Sequence, residues 1–144
     1  MSFPTPTLVF KLTTAGEWRT ALGHGNLAPS PDDVRDGFIH LSAAHQVAER
    51  ARKYFSGAAG LVLVAFRVGD LGGDLRWEVS RGGDLFPHLY GPLLTATAVW
   101  VEPVALDGAG VPVLPPQERL VAATHMVRPT SEADGQPPTG ERDR

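Results

Sequence analysis

Cysteine is absent from the 144 residues, which removes disulfides, thiolate nucleophiles and cysteine-based zinc or iron–sulfur sites at a stroke. Lysine is almost as scarce, with only Lys11 and Lys53. No apolar run approaches the ~20 residues that span a bilayer. Met1 to Pro6 lack the basic stretch and apolar stretch of a secretory signal, so the expected location is the cytoplasm. Positive charge is not in excess: 13 basic side chains face 16 acidic ones, for a net charge of −3. That balance argues against an extended nucleic-acid partner and leaves room for a local basic pocket. A Walker-type loop, a dinucleotide fingerprint, a repeat of fixed period and a histidine pair at i,i+4 are all missing as well.

What is present suits one globular domain. Hydrophobic residues make up 42% of the chain and charged residues 20%. The expected domain covers residues 1–127, and 128–144, polar and rich in Pro and Gly, is expected to be a disordered tail. Leu8 to Thr13 alternates as a strand, with Leu8, Phe10 and Leu12 on one face and Val9, Lys11 and Thr13 on the other. Lys11 is either an edge gatekeeper or a ligand contact. Thr14 and Glu17 form a capping box that opens a helix to about Leu22. Asn26 to Arg35 reads as a loop. Leu61 to Val68 is a continuous β-prone run, which predicts the middle strand of a sheet covered on both faces. Leu75 to Ser80 alternates, predicting Leu75, Trp77 and Val79 inward and Arg76, Glu78 and Ser80 outward, with Glu78 pairing across a strand to a basic group. Pro87 and Pro92 argue against a regular central strand at residues 85–92. Leu93 to Glu102 reads as a strand and residues 115–123 as a short helix with proline at its start.

The chemistry centres on Asp36 to Ala43. Asp36-Gly37 reads as a turn into a strand with Ile39 and Leu41 inward and Phe38, His40 and Ser42 on the other face, His40 and Ser42 about 7 Å apart. Val47, Ala51 and Tyr54/Phe55 recur at helical spacing, which predicts that Ser42 caps a helix beginning at Ala43. The N–H groups of Ala43 and Ala44 would then sit beside His40 and suit a phosphate or carboxylate. The opposing reading is an ordinary cap beside a structural histidine. A metal site from His40, His88 and Glu78 has weak support in spacing. A Ser42–His40–Asp36 triad conflicts with side chains that point in parallel.

Four separated motifs, Val9 to Thr13, Asp36 to Ser42, Trp77-Glu78 and Phe86 to Gly91, together resemble the bacterial domain-of-unknown-function family 952 over roughly residues 7–104. That family is similar in fold to the ADP-ribosyltransferases and RNA 2′-phosphotransferases, whose split sheets bind NAD or an ADP-ribose-like group in a cleft. The resemblance implies an α+β domain with a split, mainly antiparallel sheet and two or three short helices. Phe38 to Ser42 echoes the phosphotransferases' His-Ile-His-Leu strand, Lys11-Leu12-Thr13 stands where they carry His-Gly-Thr, and Glu78 is likened to the transferase glutamate. The expected site has His40, Glu78 and His88 as reacting groups, with Lys11, Thr13, Ser42, Ala43, Ala44 and Tyr90 around a small phosphorylated, nucleotide-like ligand. NAD or an ADP-ribose-like molecule is the implied cofactor, and no metal or membrane is called for. The competing expectation is a non-catalytic interaction module.

Overall fold

A computed structural model describes residues 7–122, so the expected boundary at 127 and the tail beyond it lie outside the described residues. In chain order the elements are β1 (Leu8–Thr14), α1 (Ala15–His24), β2 (Asn26–Leu27), α2 (Pro31–Asp36), β3 (Ile39–His40), α3 (Val47–Phe55), β4 (Leu61–Arg67) and α4 (Val68–Leu71). Then come β5 (Leu75–Val79), β6 (Leu85–Leu89), β7 (Leu93–Leu94), β8 (Ala98–Leu106), β9 (Pro112–Val113) and α5 (Gln117–Ala122). All strand pairs are antiparallel. One sheet has the order β1-β4-β8-β9, a second β3-β6-β5, and β2 pairs with β7. The class is α+β, with more short helices than expected.

Alternation along the strands builds two apolar layers. On β1 and β4, Leu8, Phe10, Leu12, Leu61, Leu63 and Ala65 pack with Val47 and Ala51 of α3 on one side. Val9, Val62, Val64 and Phe66 face the other way, against Ile39, Leu41, Leu75 and Leu89 of the second sheet. Residues Leu61 to Phe66 are all buried, as expected of a middle strand covered on both faces.

The chain crosses between the sheets at residues 39–42. Ile39 and His40 pair with Leu89 and His88, Leu41 N–H donates to the Pro87 carbonyl, and Ser42 exchanges backbone hydrogen bonds with Phe10. This crossing corrects three expectations. Ser42 is not a helix cap: α3 starts five residues later, at Val47 behind Gln46, and Ser42 is spent on a bridge to β1. Residues 85–89 do form a central strand despite Pro87. In an antiparallel strand a residue's N–H and C=O point to the same side, and Pro87's carbonyl points to Leu41, beyond the end of two-residue β3. The donor that proline lacks therefore falls where the short strand has already ended. Lys11 is not an edge gatekeeper either, because its side chain is buried beneath the crossing segment.

Other differences are local. The stretch read as a loop contains β2 and α2, whose N-terminus is a complete Ser30–Asp33 capping box with Pro31 directly after the cap. Asp36-Gly37 is the end of that helix, with Gly37 at φ 85° in the left-handed region that glycine tolerates. The strand expected over 93–102 is divided by a 3-10 turn at Thr95–Thr97 into β7 and β8. Inward burial along β5 fades from Leu75 through half-buried Trp77 to Val79, because the β5–β6 hairpin runs out past the core. No helix among the described residues is long and apolar enough to cross a membrane.

Candidate functional site

Because side chains alternate across a pleated sheet, burying Ile39, Leu41, Leu75 and Leu89 obliges their neighbours to share the opposite face. Phe38 and His40, Phe86, His88 and Tyr90, and Arg76 and Glu78 therefore form one patch. His40 and His88 are direct cross-strand partners, and their ring centroids lie 5.8 Å apart, edge to face. Phe38 stacks on His88 at 3.8 Å.

His40 is enclosed by carboxylates. Asp33 Oδ1 stands 2.6 Å from Nδ1 and Asp36 Oδ2 stands 2.9 Å from Nε2. Both acids come from α2, which the capping box and Gly37 hold against β3. Asp33 is buried. It also accepts from the backbone N–H of His40 and Ser30 and from the Lys11 ammonium at 3.3 Å. Burial alone pushes its carboxyl up, but the hydrogen bond from His40, the Lys11 charge and the two backbone donors win and hold it far below the usual carboxylate range. Burial likewise pushes the Lys11 ammonium down, and the Asp33 charge offsets only part of that. Lys11 completes its contacts at the His40 carbonyl, 3.0 Å away.

His88 has one carboxylate. Its Nδ1 lies 2.8 Å from Glu78 Oε1, which also accepts from the Tyr90 hydroxyl at 2.7 Å. Those two bonds, His88 first, lower the Glu78 carboxyl, and the bond to Glu78 raises the Tyr90 phenol. Glu78 thus pairs across the sheet with a basic group, as its alternation predicted.

Two open clefts meet at His40. One, of about 690 Å³, is lined by both histidines, by Arg50 and Lys53 of α3, and by Phe86 and Asp84 beyond β5. The other, of about 1110 Å³, holds Lys11, Thr13 and Ser42 on its walls between β1 and α1. A third, of about 410 Å³, contains Phe38 and Tyr90. Of these three clefts, the first brings His40 and His88 together around open space.

The expected site residues divide accordingly. His40, His88 and Glu78 are assembled, and Tyr90 joins them through Glu78 while facing a separate cleft. Thr13 donates to Glu17 at 2.8 Å. Ser42 is buried, with its backbone paired to Phe10. With carboxylates at both nitrogens of His40, the Ser42–His40–Asp36 triad has no place for its serine. The Ala43 N–H is taken by Gln46 Oε1 at 3.0 Å, and α3 begins only at Val47, so Ala43 and Ala44 do not form a helix N-terminus. Among the described residues no three His, Asp or Glu side chains converge as metal ligands.

Sequence reasoning missed Asp33, the hub of the patch, although Ser30-Pro31-Asp32-Asp33 carries a capping-box signature. It also missed Gln46, whose Nε2 donates to Asp84 and to the Leu85 carbonyl, both at 2.8 Å, tying the start of α3 to the β5–β6 turn. That pairing joins residues nearly 40 positions apart, and no local pattern announces it.

The crystal structure of CC0527 from Caulobacter crescentus is similar to this chain at 48% sequence identity and a TM-score of 0.72, over 74% of this chain and 94% of that one. The solution NMR structure of CC0527 matches at 48% identity and a TM-score of 0.66, over 73% and 90%. No curated protein matches the chain. A family model described as "Protein of unknown function (DUF952)" matches residues 12–101, which take in the end of β1, the crossing segment and both histidine strands, and the chain belongs to that family.

Proposed function

We propose that this domain binds a small phosphorylated, nucleotide-like molecule in the cleft over the His40–His88 patch, with His40, Glu78 and His88 as the groups that serve a transfer reaction on an NAD- or ADP-ribose-like ligand. The observation that carries this reading is His88, whose buried side chain is oriented by Glu78 and opens onto a cleft of about 690 Å³. Ligand pockets for small molecules run from about 300 to 1,000 Å³. Phe86 offers flat apolar surface for a base, and Lys53 and Arg50, which lie over the Tyr54 ring, offer positive charge for phosphate. The anion contact thereby moves from Lys11 and Ser42, which are committed elsewhere, to the α3 wall.

Thermal shift and calorimetric titration with ADP-ribose and with NAD test this. A ligand present at 100 times its dissociation constant adds about 2.7 kcal/mol of stability. Lys53→Ala is expected to weaken binding by roughly 1.5–3 kcal/mol if it meets a phosphate. No stabilisation by either molecule sinks the proposal in favour of a non-catalytic interaction module, to which the exposed pair Val79 and Leu85 at the hairpin end would then belong.

A further inference from the structure

We infer that the two histidines have different jobs: His88 accepts a proton at Nε2 from a hydroxyl of the bound ligand, and His40, with a carboxylate at both ring nitrogens, is a positioning residue that offers no lone pair to the ligand. The hydroxyl-bearing ligand rests on the cleft reading above, whereas the states of the two rings do not.

The difference lies in what each ring nitrogen touches. His40 has a carboxylate oxygen at both, at 2.6 and 2.9 Å. Ionised carboxylates only accept, so both contacts are satisfied only when both nitrogens carry protons, and the ring then has no lone pair to offer. His88 has a carboxylate at Nδ1 alone, and among the described residues nothing hydrogen-bonds to its Nε2. Ionised Glu78 claims the proton on Nδ1, which leaves the lone pair on Nε2. The His88 side chain is only 8% exposed, with Phe38 stacked on the ring and the cleft beside it. An imidazole oriented by a carboxylate, with its second nitrogen open to a cleft, is the arrangement of a general base.

The ligand class rests on the cleft reading above: an alcohol attached to a phosphate-bearing group, its anionic end towards Lys53 and Arg50 on walls that also carry Asp32, Asp36, Glu49 and Asp84. In the step itself the ligand O–H bond breaks, the proton passes to Nε2 and the electron pair stays on oxygen as the nucleophile. Net charge is conserved, and the new imidazolium faces ionised Glu78. Arg76, opposite His88 in the strand pairing, lies over the Tyr90 ring, and its charge adds to the lowering of the Glu78 carboxyl.

Imidazole ¹⁵N NMR on the full chain at neutral pH reads the ring states. The expected result is two protonated nitrogens on His40, and on His88 one protonated and one bare nitrogen. Glu78→Ala is expected to collapse the two His88 shifts towards a tautomeric average. Diethyl pyrocarbonate, read by peptide mass spectrometry, is expected to modify His88 and spare His40, although the His40 side chain is the more exposed at 15%. ADP-ribose is expected to protect His88. Two protonated nitrogens on His88, modification of His40 ahead of His88, or ADP-ribose binding by calorimetry without protection of His88 overturns the assignment. Failure of ADP-ribose to bind at all overturns the ligand reading instead, and leaves the ring states as measured.

Discussion

Asp33 shows how much one side chain can hold. It joins Lys11 on β1, His40 on β3 and its own helix N-terminus, so its removal leaves the buried Lys11 ammonium without its counterion and the His40 ring without its acceptor at Nδ1. Breaking a buried pair by removing one partner costs about 3–5 kcal/mol, and Asp33→Asn is expected to lose stability on that scale in urea unfolding. The pH dependence has a definite sign. The folded-state pKa lies below the ordinary value of 3.8, so the unfolded chain binds the proton more readily. The stabilisation is complete above the unfolded value and drains away as pH falls through it towards the lower folded one. Wild type should therefore lose stability steeply between about pH 5 and 3, and Asp33→Asn should show a flatter profile over that interval; equal slopes would mean that the carboxyl is not held ionised.

At the level of elements, α1 and α2 open with the same device but serve different ends. Thr14 and Ser30 each cap a helix whose third residue returns a bond to the cap. Truncating either to alanine should cost about 1 kcal/mol. Only Ser30 holds Asp33, however, so Ser30→Ala should also shift the His40 ring nitrogens in ¹⁵N NMR while Thr14→Ala leaves them alone. An undisturbed His40 in Ser30→Ala would show that the strand, and not the helix, positions the carboxylate. The same comparison shows what was legible. Thr14-x-x-Glu17 precedes an apolar helical face and reads as a helix start. Ser30-x-x-Asp33 has the acid one methylene shorter and almost no apolar face behind it, since Val34 is exposed, so the helix hid inside an apparent loop. Residues 85–89 hid for a different reason: whether proline is tolerable in a strand depends on where the neighbouring strand stops.

Over the whole molecule the two apolar layers share the β1–β4 pair, and protection should follow from that. The β4 amides, flanked by β1 and β8 and buried throughout, are expected to exchange hydrogen only on global unfolding. Those of β5, an edge strand whose hairpin end is exposed, should exchange by local opening. Protection of β5 equal to that of β4 in native-state hydrogen exchange would mean that the site face opens only with the entire domain.

By itself the sequence determined the faces of β1, the middle position of β4 and the pairing habit of Glu78. These follow from period-two alternation and composition, which are local. Only the tertiary structure decided what each polar group meets. Lys11 and Ser42 were chemically fit to hold an anion, yet the crossing of residues 39–42 spends one on Asp33 and the His40 carbonyl and the backbone of the other on Phe10. His40 and His88 look alike in the sequence. They differ because α2 brings two carboxylates to one ring while β5 brings a single carboxylate to the other, and hydrogen-bond partners supplied from distant segments have no signature in either histidine's own neighbourhood.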